Sequence, residues 1–125
     1  MKTVKVTTDD RISIVDVDFD DFRSIQKAIG GHFETVRTQR MRDYFGTDIM
    51  MIVDEEGHLK QLPFNRLGSW FYGEDEHGCP IAGDFILAVP VYDSLTGLED
   101  AEAVKKRMMR DFKFLKEEQT DEHNL

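Results

Sequence analysis

Five consecutive apolar residues, Ile49-Met50-Met51-Ile52-Val53, limit what this chain can fold into more than any other stretch. The run is of strand length, bounded by turn residues, and fits one buried strand. Asp54-Glu55-Glu56-Gly57 then offers a turn, with Gly57 free to take φ > 0. His58 to Leu62 reads as a second extended segment, stopped by Pro63, which cannot donate to a sheet ladder. Phe64-Asn65-Arg66 follows as a loop. The stretch predicts a central hairpin and carries no catalytic signature.

Flanking segments supply the rest of the fold. Lys2 to Thr7 alternates around Val4 and Val6. It turns through Thr8-Asp9-Asp10-Arg11 into Ile12–Asp16, which predicts an N-terminal hairpin. Asp18 or Asp20 offers an N-cap for a helix whose apolar positions are Phe22, Ile25, Ala28 and Ile29, ended by Gly30-Gly31. His32 to Arg37 has no clean apolar face, which suits a strand near an edge. Asp84 to Val89 reads as a buried strand halted by Pro90. Thr96-Gly97-Leu98-Glu99 matches a capping box ahead of a helix striped by Ala101, Val104, Met108, Phe112 and Leu115. The connections are too short for several parallel crossovers. The expected fold is α+β, a mainly antiparallel sheet with a short helix after the N-terminal hairpin and a longer amphipathic C-terminal helix. One domain over residues 1–117 and a polar, frayed tail over 118–125 are expected.

Charge narrows the function classes. The net charge is −9, and residues 67–104 hold eight acids with no Lys or Arg. Such a field disfavours direct nucleic-acid binding. No apolar run approaches the ~20 residues of a membrane span, and the N-terminus lacks a signal or transit pattern. A single cysteine, Cys79, cannot form an internal disulfide, so a reducing cytoplasmic setting is expected. No cofactor motif is present, and the four histidines lack metal-ligand spacing.

Four pieces occur in order: Gly30-Gly31-His32-Phe33-Glu34-Thr35-Val36, Asp54-Glu55-Glu56-Gly57-His58-Leu59, Leu62-Pro63-Phe64-Asn65-Arg66 and Ala82-Gly83-Asp84-Phe85-Ile86. Over about residues 22–89 the chain resembles a small domain-of-unknown-function family of bacteria, phages and mobile elements, with the pattern GG-x-x-E-x-V, D/N-E-x-G-x-L, L-P-x-N and I-x-G-D. The resemblance implies a cytoplasmic accessory protein and no particular chemistry.

Asn65 and Arg66 are the first candidate site. An amide and a guanidinium fork on a loop can recognise a small anionic ligand, as a binder or as an enzyme, with Glu34 as a third member. Alternatively, Asn65 caps a short helix over Leu67–Trp70 and Arg66 pairs with an acid. Trp70, Tyr72, Glu74, Asp75 and Glu76 form the second candidate, an acidic aromatic surface for a host protein, whose long field of carboxylates could mimic the phosphates of DNA. The plainer readings are solubility for the acids and core for Phe71 and Tyr72. Arg37, Arg40 and Arg42 read as a solvated face, Cys79 as a small buried thiol, and His32 with Glu34 as a half-exposed pair. A non-enzymatic binding protein is the leading expectation, and oligomeric state is left open.

Overall fold

The computed structural model describes residues 1–118 and shows an α+β fold. In chain order the elements are β1 (Lys2–Val6), β2 (Arg11–Asp16), α1 (Phe22–Ile29), β3 (Phe33–Val36), α2 (Gln39–Phe45), β4 (Met50–Asp54), α3 (Arg66–Tyr72), α4 (Glu74–His77), β5 (Phe85–Val91), β6 (Ser94–Thr96), α5 (Ala101–Asp111) and β7 (Lys116–Glu117). The sheet runs β3-β4-β5-β1-β2-β7, with β6 paired to the end of β5. Every pairing is antiparallel except β2 with β7.

The unbroken apolar runs follow from where β4 and β5 lie. Side chains alternate across a strand, so Met51 and Val53 of β4, with Phe85 and Leu87 of β5, face the larger core with Leu67, Phe71 and Met108. Met50, Ile52, Ile86 and Ala88 face the opposite side and pack with Ile25 and Ile29 of α1. Both faces are covered, so Met50–Val53 and Phe85–Ala88 are apolar throughout. By contrast, β1 and β2 alternate.

The predicted central hairpin is not formed. Only its first half is a strand, and β4 pairs with β3 and β5. The Asp54 carboxylate accepts from the Glu56 amide at 2.9 Å and from Lys60 Nζ at 2.7 Å. That curls residues 55–61 into successive turns, closed by the Lys60 amide donating to Glu56 O and the Leu62 amide to Gly57 O. Gln61, not Gly57, takes the positive φ, 57°. Gly57 is required for a different reason: a Cβ there would collide with the Ala82 carbonyl.

Other boundaries also move. The cap of α1 is Asp21, accepting from the Arg23 amide, while Asp18 shapes the preceding turn by accepting from the Asp20 amide. The capping box at Thr96 is not used. Leu98 donates to Lys2 O and keeps that stretch extended along β1, so the cap falls to Asp100, which accepts from the Ala103 amide at 3.1 Å. The last helix ends at Asp111, before Phe112 and Leu115, because the chain turns out to bond Asp10 O and enter β7. Pro90 does not halt β5. Beyond Ala88 the strand pairs only with β6, and a residue without an N–H is tolerated on such an edge. Glu118, the first residue of the expected tail, donates its amide to Ile12 O at 3.0 Å, and the tail from Gln119 onward lies outside the described residues. No helix among the described residues is long and apolar enough to cross a membrane.

Candidate functional site

Asn65 organises the region that matters most. It is fully buried, donating from Nδ2 to the carbonyls of Val6 and Gly83 at 3.1 Å each and accepting on Oδ1 from the Gly68 amide at 2.9 Å. Both donors and the acceptor are thereby used. The side chain caps α3 and ties it to β1 and to the loop before β5. That role fixes the direction of Arg66, Ser69 and Trp70, which follow on one side of the helix.

Those residues line a groove of about 560 Å³ together with Phe64, Arg40 of α2, and Glu74 and Asp75 of α4. Phe64 is 61% exposed and Trp70 43% exposed. The Arg40 guanidinium lies 5.0 Å from the Trp70 ring centroid and holds Asp75 through two bonds, 3.1 and 3.2 Å. It also donates to the Trp70 carbonyl at 2.8 Å and lies 3.8 Å from Glu76. The hydrogen bonds from Arg40 hold the Asp75 carboxyl below its ordinary value. Arg66 lies 3.4 Å from Asp10 and 4.6 Å over the ring of Phe114. On the far side of the Arg40–Trp70 stack is a second recess, with Gln39, Asp43, Tyr44 and Glu76.

The candidate residues are thus divided. Arg66, Trp70, Glu74 and Asp75 meet in the groove, and Glu76 lies in the recess beside it. Asn65 lines neither, being committed to the backbone. Glu34 and Tyr72 lie in a separate recess with His58 and Cys79. Glu34, Asn65 and Arg66 therefore do not converge on one pocket.

Cys79 is exposed, not buried, on the irregular segment between α4 and β5. Its Sγ is 3.6 Å from His58 Nε2, but that nitrogen is 2.7 Å from the Pro80 carbonyl. A carbonyl accepts only, so Nε2 carries the proton and cannot receive one from the thiol. Among the described residues no group of three or more His, Cys, Asp or Glu side chains could hold a metal. The arginine group separates too: Arg37 and Arg42 flank Asp48, at 2.8 and 4.0 Å, while Arg40 belongs to the groove. Sequence reasoning missed Phe64 and Arg40 as groove residues. Nothing local distinguishes Arg40 from its neighbours, since its acid partner is 35 positions away.

A family model described as a domain of unknown function, DUF3846, matches residues 1–113. The chain belongs to that family. The match extends well beyond the segment on which the sequence resemblance rested, and in this DUF3846 chain it takes in every groove residue. Comparison with curated proteins and with solved structures gives no match.

Proposed function

We propose that this DUF3846 chain is a non-enzymatic binding protein whose groove takes a segment of another protein. An apolar side chain of the partner packs on Trp70 and Phe64, and a basic one meets Glu74, beside the Arg40–Asp75 pair. The reading is carried by two large aromatic side chains left open to solvent in one groove. Exposed aromatics beside arginine are the composition of binding hot spots, and a surface with no partner gains little from them. The net charge of −9 steers basic partners toward the chain. The resemblance to a family of bacteria, phages and mobile elements supports a cytoplasmic accessory role with a host protein as partner. A small anionic ligand has less support, because Arg40 and Arg66 already hold Asp75 and Asp10.

Trp70 is the chain's single tryptophan, so its emission reports on the groove directly. Titration with short peptides that place a leucine or aromatic residue beside lysine or arginine is expected to give a saturable shift in that emission. Phe64→Ser should abolish the shift and Glu74→Lys should weaken it. Saturable binding that survives Phe64→Ser, or no binding by any such peptide, overturns the reading.

A further inference from the structure

β3 is the end of the sheet, and its outer side is open. In its pairing with β4, His32 O accepts from the Glu55 amide at 3.0 Å. Hydrogen-bonded pairs recur every second residue in an antiparallel ladder, so Glu34–Val53 and Val36–Met51 are the bonded pairs. The N–H and C=O of Phe33 and Thr35 therefore point away from β4, and no described residue bonds them. The strand is short and carries Glu34, but it has no proline and no bulge to block pairing at its edge. Beyond the strand Thr38 is extended, at φ −135° and ψ 163°, whereas Gly30, at φ 92°, turns the chain on the other side. Phe22, 71% exposed, stands with its ring 6.0 Å from that of Phe33 at the same edge.

We propose that β3 pairs antiparallel with β3 of a second copy of this chain, about a twofold axis through Thr35. This register sets Thr35 against Thr35, Glu34 against Val36 and Phe33 against Arg37. Arg37, whose guanidinium bonds Asp48 at 2.8 Å, then lies opposite Phe33 of the second copy. The neighbouring registers are worse. An axis through Glu34 opposes two carboxylates, which is destabilising. An axis through Phe33 runs the second strand into the turn at Gly30-Gly31. An axis through Val36 sets Phe33 against Gln39, the first residue of α2, and leaves the Phe33 backbone groups unpaired. Self-pairing in the Thr35 register satisfies every outward group of Phe33 and Thr35 and covers Phe22. No residue of β3 lines the groove, and the inference stands independently of the groove's role.

Sedimentation over a concentration series tests it. The wild-type chain is expected to pass from monomer to dimer as concentration rises. Thr35→Pro removes an N–H that the ladder with β4 does not use, and it should weaken the dimer at least about tenfold. Far-UV circular dichroism checks that the variant is folded. Amide exchange on the wild-type chain gives a second readout that needs no variant. Phe33 and Thr35 should become protected as concentration rises, while Glu34 and Val36 are protected throughout. A chain monomeric up to about 1 mM, or a dimer whose Phe33 and Thr35 amides exchange as fast as in dilute solution, overturns the proposal.

Discussion

Two adjacent helices, α3 and α4, are built on opposite terms. α3 begins at a buried amide side chain with all its hydrogen bonds made, and it buries Leu67 and Phe71 completely. α4 has four residues, all acidic or histidine, and none is buried. It is bracketed by Gly73 at φ 86° and Gly78 at φ 76°, and it is held by the contact from Arg40 to Asp75 and Glu76 and by the His77 ring, 5.0 Å from that of Tyr72. One wall of the groove is therefore part of the core, and the facing wall is attached by surface contacts. A binding site made this way keeps its aromatic floor fixed while its acidic rim can adjust.

The contrast predicts unequal consequences of substitution. The largest effect is expected from Asn65→Ala, which strands the Val6 and Gly83 carbonyls and uncaps α3. A loss of about 3–5 kcal/mol follows from three buried hydrogen bonds, measured by denaturant unfolding. A loss under about 1 kcal/mol would mean that water replaces the amide and that α3 is not fixed as argued. Next, Arg40→Ala should leave the unfolding midpoint nearly unchanged while amide exchange in Glu74–His77 accelerates. Equal acceleration throughout α3 would erase the distinction between the two helices.

The smallest effect is a pH dependence. Asp75 titrates below the ordinary aspartate value of 3.8, first because Arg40 donates hydrogen bonds to it. A lowered folded value means that the contact stabilises α4 above pH 3.8 and is lost as pH falls through that lower value. Trp70 emission should therefore change in acid, below pH 3.8, before the core unfolds, and should be flat from about pH 5 to 9. An emission change near neutrality would point to another group.

Legibility followed the same division. Helix α3 was open to reading because Asn65 is a strong cap and its effect is local. β4 and β5 showed in their apolar runs, and the edge character of β3 in its mixed faces. The turns after Asp54 were misread because His58–Leu62 alternates weakly, and the deciding contact is Lys60 reaching back to a buried carboxylate. α2 was not foreseen, since its cap, Thr38, and its docking on Phe71 O depend on a helix far along the chain. The groove depends on pairings such as Arg40 with Asp75, which no local pattern encodes.

The position of β1 has a consequence for how the chain reaches this state. The first strand lies in the interior of the sheet, between β2 and β5, and Thr3 Oγ1 donates to Leu87 O across 84 positions. The β1–β2 hairpin can close early, but it gains its second neighbour only after a long loop is brought round. Loop closure of that length must precede its reward, so folding should be governed by one distant encounter and not by local helix formation. Until then the hairpin holds an uncovered edge, and that interval is when the chain is most exposed to mispairing.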